Sequence, residues 1–497
     1  MDTFKKVYND YIKQIIETII TDFNGKIVGS EEMIFETIMN KLSINPDNIK
    51  SDISIKNNIK ITDYSELSKQ LTCNLSKEIK KTEGIFFSPP ESIKKMINYI
   101  DKIEGSKIGH NIKDILEPSY GSGEIINYLE KYYDNTKELP LNITGIEKNN
   151  DIYNTTQILK EGCNNVNLIN EDFLLFSNDK KFDLIIGNPP YFVMKKNGIP
   201  KEYKNYMKGR PNIFTIFILK SLDLLKNNGI LAFILPKSFM NCSYYSSVRE
   251  FIFENFNIKT IIECFDDKYI ETEQETIILI LKKQKVELNA EYCINNNYYL
   301  FNTKDNILRM KEIMNSSTTL NEMGFSVFNG NFVWNQEKNK LTNNSNNVRL
   351  IYSGDIKNNK VQELDMDEIK EKWNDLTNKY ENEPNKSLKN KIDKKHYVFG
   401  HDPEPLRGLM LVINRGYGNA SYKLNYALID SLDKYYLENH VLGIKYNGKI
   451  SKEDLIIKYN NIILSLNNKK THDFISMCMG NNAMNTTELE YLLPIFN

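Results

Sequence analysis

The sequence predicts an α/β protein whose largest domain contains a doubly wound, mainly parallel β-sheet. Between residues 114 and 283, short apolar runs with the length of buried strands alternate with longer segments of helical periodicity. The first of these units, residues 114–129 (DILEPSYGSGEIINYL), is a strand, a glycine-rich turn and a helix. This order is typical of the first βα unit of a nucleotide-binding sheet, although on its own it is a weak signal.

Each predicted element has a local cause. A helix begins near Pro90, because proline suits a first helical turn and Glu91 complements the exposed N–H groups there. Apolar helices are expected at 212–226, ended by Asn227-Asn228-Gly229, and at 244–256. The strands are apolar runs bounded by Gly, Pro, Asn or acidic residues, at 115–116, 142–146, 166–169, 182–186, 230–235, 258–263 and 276–283. A short acidic loop separates the last two strands, which are expected to close the sheet as a hairpin.

A chain of 497 residues is too long for one ordinary core, so more than one domain is expected. Residues 1–80 are predicted to be a helical N-terminal extension, with helices at Phe4–Phe23, Glu31–Leu42 and Tyr64–Lys81. The regular alternation of strand and helix occupies 81–290. A less regular domain is expected from 300 to 497, with polar stretches between short apolar runs and helices at 453–466 and 487–493.

Composition excludes several classes of protein. The N-terminus has helical spacing and no continuous apolar segment, and no run of eighteen apolar residues occurs, so neither a signal peptide nor a membrane span is expected. Six cysteines without a CxxC pair and five histidines without ligand spacing favour a reduced, cytoplasmic protein without a metal. With a net charge of −1, any nucleic-acid site must be a local basic cleft.

The stretch FDLIIGNPPY, residues 182–191, carries the most informative pattern. An apolar strand ends in Gly187 and is followed by Asn188, Pro189, Pro190 and Tyr191. The prolines fix the backbone, so that the Asn188 amide and the neighbouring carbonyls are presented in one shape. A side-chain oxygen and a backbone carbonyl together can accept both hydrogens of an amino group, and Tyr191 can stack on the ring that carries it. The alternative is a tight turn after a buried strand.

Other predicted strands also end in groups suited to a nucleotide. Gly121 and Gly123 allow a close turn, and Glu147, at the end of the second strand, stands where doubly wound folds bind a ribose diol. Asp172 after the third strand is suited to accept an adenine amino group, with Phe173 packing on the ring. Ser88 precedes a helix whose dipole favours a ligand carboxylate. Each group alone is more often a solvated strand or helix end, and the series is the stronger signal.

The segment 195–210 is strongly basic. It contains Lys195, Lys196, Lys201, Lys204, Lys208 and Arg210 against one acid, Glu202. A solvated loop is the simplest interpretation. Asn188, the Pro189 carbonyl and Tyr191 together form a candidate binding site for a base, here called the cradle. Because the basic segment follows the cradle in the chain, contact with nucleic-acid phosphates is favoured, and the candidates are Lys195, Lys196 and Lys204.

In this combination the chain resembles the gamma class of DNA adenine N6-methyltransferases, the TaqI-like group of type II restriction-modification systems. The matching segments are FFSPPES, ILEPSYGSGE, ITGIEKN, NEDF and GNPPY, in that order, within residues 82–283. The segments FNGNFVWNQEK, LIYSGDI and NRGYGN resemble, less closely, the target-recognition domains of such enzymes. The resemblance implies a Rossmann-like, S-adenosylmethionine-dependent methyltransferase domain followed by a mixed α+β, DNA-binding target-recognition domain.

The resemblance also implies a role for each site residue. The residues at the methionine end of S-adenosylmethionine would be Ser88, Glu117, Ser119, Gly121 and Gly123. Glu147 would bind the ribose hydroxyls, and Asp172 and Phe173 the adenine moiety. Asn188, Pro189 and Tyr191 would hold the target base, with Tyr269 as the nearest aromatic for its other face. Pro190 completes this catalytic motif.

The implied reaction is methyl transfer from S-adenosylmethionine to N6 of an adenine flipped out of duplex DNA. The implied protein is a cytoplasmic monomer, and a separately acting restriction endonuclease is a candidate partner. Arg415, in the NRGYGN turn, is the preferred reader of bases, against the alternative of an exposed hairpin arginine. Three alternatives stay open: the same cradle acting on RNA adenine or on protein glutamine, and a non-catalytic DNA-binding protein on this scaffold. A cytosine N4-methyltransferase would more often carry Ser in place of Asn188.

Overall fold

The fold was analysed in a computed structural model of the chain. It describes residues 64–496, apart from 107, 109, 135–140, 161–164, 268, 273, 287–288, 296–298, 401–402, 416–423 and 479–483. The predicted helices Phe4–Phe23 and Glu31–Leu42 lie outside the described residues. No helix within the described ranges combines the length and apolar character needed to cross a membrane.

The described residues fall into two compact units that divide between Ser76 and Lys77. In the first unit, helix α1 (Glu66–Asn74) begins at Ser65, whose hydroxyl accepts a hydrogen bond from the Ser68 N–H. The backbone becomes extended at Leu75. The second unit begins with helix α2 (Lys77–Glu83). The single helix predicted over Tyr64–Lys81 was therefore wrong, since two helices share this stretch.

The second unit contains a seven-stranded sheet in the order β3-β2-β1-β4-β5-β7-β6. Neighbouring strands from β3 to β5 run parallel, whereas β7 is antiparallel to both β5 and β6. This is the Rossmann-like methyltransferase fold that the sequence predicts, and the expected closing hairpin is β6 with β7. The strands are β1 (Asp114–Glu117), β2 (Asn142–Glu147), β3 (Val166–Asn170), β4 (Phe182–Gly187), β5 (Leu225–Pro236), β6 (Asn257–Glu263) and β7 (Thr276–Lys282).

Helices cover both faces of this sheet, which explains why its strands are apolar runs without alternation. Buried side chains form one core on each face. Pro90 opens α3, as predicted, and the helix ends at Gly105, which adopts a left-handed conformation with φ +66°. The helices are α3 (Pro90–Glu104), α4 (Glu124–Asp134), α5 (Asn150–Lys160), α6 (Ile213–Leu224) and α7 (Ser246–Asn255).

The strand order positions the site. It reverses between β1 and β4, the point at which doubly wound sheets open a crevice beyond the carboxyl ends of their strands. Glu117 is the last residue of β1, and Gly187 is the last residue of β4. The glycine-rich turn and the NPPY segment therefore leave the sheet side by side.

A second seven-stranded sheet, in the order β10-β18-β16-β17-β12-β15-β11, contradicts the expectation of a less regular domain after residue 300. Its register comes from long-range pairing, and β11 and β15 have only two residues each, too few for a periodic signal. Its strands are β10 (Phe325–Asn329), β11 (Leu341–Thr342), β12 (Val348–Ile351), β15 (Tyr397–Val398), β16 (Leu406–Asn414), β17 (Tyr426–Leu437) and β18 (Val441–Tyr446). Two small hairpins are β8 (Cys293–Asn295) with β9 (Tyr299–Phe301), and β13 (Ile356–Lys357) with β14 (Lys360–Val361).

Six helices accompany the second sheet in the described ranges. They are α8 (Lys304–Asn315), α9 (Met366–Asn382), α10 (Lys386–Asp393), α11 (Lys452–Leu466), α12 (Lys469–Cys478) and α13 (Thr486–Tyr491). The sequence predicted α11 and α13, but α9 and α10 lie where it predicted polar connections. Helix α9 has apolar residues at helical spacing, namely Met366, Ile369, Trp373, Leu376 and Tyr380, although none of them is buried. This stripe was the signal in the sequence that could have predicted the helix. The boundaries predicted for the three domains, at 80 and between 290 and 300, stay a prediction.

A buried polar cluster joins the end of β5 to the C-terminal helices. Arg249 of α7 is fully buried and donates hydrogen bonds to the carbonyls of Phe239 and Cys242, at 2.8 and 2.9 Å. The Asn241 amide donates to Glu488 of α13 at 2.7 Å. Burial raises the pKa of Glu488 to about 7, against the opposing effects of its hydrogen bonds and of Arg249.

We expect Arg249→Met to destabilise the protein by roughly 3–5 kcal/mol, because buried carbonyls are left without their donor and the buried Glu488 loses a compensating positive charge. The free energy of unfolding, measured in urea at pH 7, checks this. Arg309→Met is the matched control, since Arg309 is exposed on α8 and its replacement should change stability by no more than about 0.5 kcal/mol. Equal effects of the two substitutions would show that the buried cluster does not stabilise the fold.

Candidate functional site

A cleft of about 250 Å³ lies at the carboxyl ends of β1 and β4. It brings together several residues predicted from the sequence: Ser88, Glu117, Ser119, Gly121 and Asn188 all line it. The lining residues that the sequence did not single out are Phe86, Phe87, Tyr120, Ser122, Glu124 and Ile125. Most of these residues are neighbours in sequence of a predicted site residue, and this proximity was the signal by which they could have been predicted.

The turn after β1 depends on its glycines. Gly121 has φ +54° and Gly123 has φ +77°, a region of backbone conformation that side chains with a Cβ rarely adopt. The Gly123 N–H donates to the Tyr120 carbonyl at 2.8 Å, and the Tyr120 N–H donates to the Ile146 carbonyl of β2 at 3.1 Å. The turn is thereby folded back against β2, which places the Gly121 N–H beside the end of that strand.

Glu147, the last residue of β2, is buried at this point. One of its carboxylate oxygens accepts the Gly121 N–H at 3.1 Å, and the other accepts the Asn149 N–H at 2.7 Å. Burial raises the pKa of Glu147 to about 7, and nearby Glu83 adds to this, whereas the backbone hydrogen bonds oppose it. Glu147 does not line the cleft itself but is linked to it by Gly121. A desolvated acceptor of this kind favours a ligand that supplies further donors.

Asp172 and Phe173 lie beyond the cleft, after β3. The Asp172 carboxylate accepts the Leu174 N–H at 2.9 Å and forms an ion pair with Lys148 at 2.9 Å. Phe173 is 1% exposed and packs on Phe217, with ring centroids 4.8 Å apart. In this structure Phe173 is a core residue, and its predicted contact with an adenine ring stays a prediction, as does the role of Asp172.

The Asn188 side chain is held at both ends. Its Nδ2 donates to the Phe86 carbonyl at 3.2 Å, and its Oδ1 accepts from the Tyr191 hydroxyl at 2.6 Å. The Asn188 carbonyl accepts from the Ser119 hydroxyl at 3.3 Å, which connects the NPPY segment to the turn after β1. The amide oxygen is therefore turned toward the tyrosine and away from the Phe86 carbonyl.

The Tyr191 hydroxyl has two acceptors within reach. Besides Asn188 Oδ1, the Ile234 carbonyl of β5 lies 2.9 Å away. Burial and then the neighbouring Tyr269 raise the pKa of Tyr191 well above its ordinary value, so the hydroxyl keeps its proton. Because it carries one hydrogen, it can fully satisfy only one of these two acceptors. The cradle thus has an acceptor to offer to a further donor.

Tyr269 lies beside Asn188 and Tyr191. It is 3% exposed, and its hydroxyl lies beside Tyr191, Asn188 and Thr276 without a well-formed hydrogen bond to any of them. Burial raises its pKa. Tyr269 is placed next to the Asn188 amide, and its predicted stacking on a target base stays a prediction.

The basic segment after the NPPY motif forms a loop that is closed at its base by backbone hydrogen bonds. Its ends pair with each other, since the Met194 N–H donates to the Pro211 carbonyl at 2.8 Å and the Ile213 N–H donates to the Phe192 carbonyl at 3.0 Å. Ile199 and Tyr203 anchor it in the core. Lys196 begins a short 3₁₀ helix. The side chains that point to solvent include Lys195, Lys201, Lys204, Lys208 and Arg210.

Arg415 directly follows β16 of the second sheet. It is partly buried, and its Nε donates to the Met484 carbonyl at 3.1 Å. Residues 416–423, which include the rest of the NRGYGN turn, lie outside the described residues. Arg415 therefore has a structural contact, and its use as a base reader stays a prediction.

Residues 48–271 match the Eco57I restriction-modification methylase family, over a little less than half of the chain. The chain also has homologues among the type II methyltransferases. It is 37% identical to the modification methylase CviBIII of Paramecium bursaria Chlorella virus NC1A over 197 residues, which are 39% of this chain and 48% of that protein. It thus spans about half the length of this relative.

A second relative is matched over almost its whole length. The chain is 24% identical to the type II methyltransferase M.CvrRI of Paramecium bursaria Chlorella virus XZ-6E, over 80% of this chain and 91% of that protein. Among solved structures, the chain is similar to the cryo-electron microscopy structure of a DrdV–DNA complex, with 13% sequence identity and a TM-score of 0.47. The aligned region covers 95% of this chain and 62% of the chain in that structure.

Glu147 gives this site a testable pH dependence. The pKa of Glu147 is about 7 in the folded protein and near 4.5 in the unfolded protein. Between these two pH values the folded state holds a proton that the unfolded state has lost, so the free energy of unfolding decreases as the pH rises from 4.5 to 7. Glu147→Gln stays neutral. The stability of this variant relative to the wild type should therefore increase by roughly 3 kcal/mol between pH 4.5 and 7, and change little above. Urea unfolding of both proteins at a series of pH values measures this, and a constant difference would show that Glu147 is solvated.

Proposed function

We propose that this protein is a site-specific DNA methyltransferase that transfers the methyl group of S-adenosylmethionine to N6 of an adenine flipped out of duplex DNA. The observation that carries the proposal is the Asn188 amide. It stands at the reversal of strand order, beside the cleft, with its oxygen available as an acceptor. The similarity to type II methyltransferases supports the same conclusion.

The residues of the cleft fit S-adenosylmethionine, a ligand with an amino-acid end, a ribose diol and an adenine. Hydroxyls of Ser88 and Ser119 and the start of α3 would hold the amino-acid end, with Glu117 and the turn at Gly121 and Gly123. Glu147 would accept from the ribose hydroxyls, and the extra donors would favour its ionised form. Asp172 and Phe173 would contact the adenine. When bound, the cofactor supplies an electrophilic methyl group on a sulfonium.

The chain's own contribution to the reaction would be to orient and polarise the target nitrogen. Asn188 Oδ1 and the Pro189 carbonyl would accept the two hydrogens of the amino group, which favours a pyramidal and more nucleophilic nitrogen. The Tyr191 hydroxyl can keep the Ile234 carbonyl as its partner when the amino group takes the Asn188 oxygen. Tyr191 and Tyr269 would flank the base and offset part of the cost of flipping. Positioning and electrostatics carry the rate, without a protein nucleophile.

Duplex DNA as the substrate is supported by the exposed cations beside the cradle. Lys195 and Lys204, with Lys196, would contact phosphates and hold the duplex while the base is extruded. Sequence choice would come from the second sheet region, residues 300–497, acting as the target-recognition domain, with Arg415 as a candidate reader. In the proposed setting the protein acts as a monomer, with a restriction endonuclease acting separately.

Replacing Asn188 tests the proposal. Asn188→Ala should lower the rate of methyl transfer to plasmid DNA at least about a hundredfold, because the target amine loses its acceptor. Binding of S-adenosylhomocysteine, measured by calorimetry, should change little. Asn255→Ala is the matched control, since Asn255 is an exposed residue whose amide donates to the Phe251 carbonyl. Near-normal turnover of Asn188→Ala would contradict the mechanism.

The modified base identifies the substrate. After reaction with labelled S-adenosylmethionine, mass spectrometry of the digested DNA should show N6-methyladenine. Label in N4-methylcytosine, in RNA or in protein glutamine, with none in adenine of duplex DNA, would contradict the proposal and identify the alternative. Single-molecule sequencing of the same DNA gives the recognition sequence.

The proposed phosphate contacts can be tested through the dependence of DNA affinity on salt concentration. Neutralising Lys195, Lys196 and Lys204 together, by replacement with Gln, should weaken binding to all duplex sequences alike. It should also reduce the slope of log affinity against log salt by about 0.9 for each phosphate that the variant no longer neutralises. The same change at Lys102, Lys113 and Lys181 is the control and should leave the slope unchanged. These lysines are exposed, and Lys113 and Lys181 directly precede β1 and β4, at the edge of the sheet opposite the cleft. Salt-independent binding by the wild type would count against duplex DNA.

A further inference from the structure

Gly84 packs directly against the NPPY segment. It follows helix α2 with φ +67°, and the Ile85 N–H donates to the Lys80 carbonyl at 2.9 Å, which closes the helix. A Cβ placed on Gly84 would lie 2.8 Å from the Tyr191 backbone nitrogen and 3.1 Å from Pro190 Cβ. Real Cβ atoms essentially never approach another heavy atom as closely as the first of these distances. The absence of a side chain at residue 84 therefore lets two backbone segments touch.

Two residues further on, the chain fixes the Asn188 side chain. The Phe86 carbonyl accepts from Asn188 Nδ2 at 3.2 Å. An amide has one end that donates and one that accepts, so binding the donating end leaves the oxygen for other partners. A backbone carbonyl cannot donate, so it accepts only this orientation of the amide. The Phe86 carbonyl thus determines that the cradle offers an acceptor, which suits an amino group and rejects a carbonyl.

The same segment forms a wall of the cleft. Phe86, Phe87 and Ser88 line it together with Asn188. Lys80, in the preceding helix, is buried and pairs with Glu271 at 2.6 Å, and the Asn149 amide donates to Glu83 at 2.9 Å. The segment is thereby anchored to the loop that carries Tyr269 and to the start of α5. It is fixed on the side of the cofactor cleft and on the side of the cradle.

We propose that Gly84–Phe86 (the positioning segment) orients the Asn188 amide and holds the NPPY segment at the distance from the cleft that methyl transfer needs. This inference rests on the proposed function. The positioning segment does not contact the reacting atoms and acts through Asn188. A side chain added at Gly84 would displace the NPPY segment at Tyr191 and Pro190 and so shift the target nitrogen relative to the methyl group. The cleft walls at Ser88, Glu117 and Gly121 would stay in place.

Gly105 offers a matched control. It ends helix α3 with φ +66°, close to the φ of +67° at Gly84, but a Cβ there would have no heavy atom within 4 Å. Alanine at either position meets the strain of a positive φ. Only at residue 84 does it also meet the NPPY segment.

The experiment compares Gly84→Ala with Gly105→Ala for kcat on plasmid DNA and for the Kd of S-adenosylhomocysteine. We expect kcat of Gly84→Ala to fall on the order of a hundredfold, the effect of a displacement of about 1 Å, while Kd changes less than about threefold. Gly105→Ala should keep both values within about threefold of the wild type. Gly84→Asn guards against misfolding, because asparagine tolerates a left-handed backbone but still carries a Cβ. It should be more stable than Gly84→Ala, because asparagine pays less for the positive φ, and it should match Gly84→Ala in kcat, because both variants carry the Cβ that meets Tyr191.

Each other outcome overturns the inference or the proposed function. Gly84→Ala or Gly84→Asn with the kcat of Gly105→Ala would show that the contact with Tyr191 does not position the cradle. A parallel loss of S-adenosylhomocysteine binding would assign Gly84 to the structure of the cleft. A wild-type protein inactive on DNA would contradict the proposed function, whereas an active wild type with an equally active Gly84→Ala contradicts this inference alone.

Discussion

The reversal of strand order between β1 and β4 is the constraint on which the site depends. Strands β1 to β5 run parallel, so their carboxyl ends share one edge, and the loops on either side of the reversal diverge. The turn after Glu117 and the segment after Gly187 form the two walls of the crevice. The Ser119 hydroxyl, 3.3 Å from the Asn188 carbonyl, holds these walls at hydrogen-bonding distance. The cleft and the NPPY segment thus adjoin because both follow directly from the strand order.

Desolvation supplies the second constraint. Glu147 is buried at the end of β2, next to the cleft, where its ionised form is disfavoured, and the backbone amides of Gly121 and Asn149 only partly compensate. Each carboxylate oxygen can accept more than one hydrogen bond, so acceptor capacity remains after these contacts. The same holds around Asn188, where a single tyrosine hydrogen lies within reach of two oxygens. Both halves of the site are therefore short of donors, which a diol and an amino group would supply.

The sequence predicted six strands of the first sheet to within one residue at each end, because they are apolar runs bounded by Gly, Pro, Asn or acidic residues. It was wrong about the start of β5, which begins at Leu225 and includes Asn227, Asn228 and Gly229, where a helix end and a turn were predicted. It also predicted the positions of Ser88, Gly121 and Asn188 around one cleft, since these residue types occur at the ends of successive elements. The role of the Phe86 carbonyl could not be predicted, because every residue has a backbone carbonyl and the residue type does not show which one forms a hydrogen bond in the site. Phe173 shows the reverse problem: an aromatic residue after a strand is as suitable for the core as for a ligand.

The second sheet was hidden for a related reason, and it bears on how the two halves of the chain are joined. Its register depends on pairing between distant strands, and strands of two residues, such as β11 and β15, are too short to show periodicity. One contact between the halves is polar and buried, the hydrogen bond from Asn241 to Glu488. Asn241 lies a few residues after Ile234, whose carbonyl contacts Tyr191. One stretch of backbone at the end of β5 therefore contacts the cradle at one end and α13 at the other. Because interiors are closely packed, a shift at one end of such a stretch is transmitted rather than absorbed.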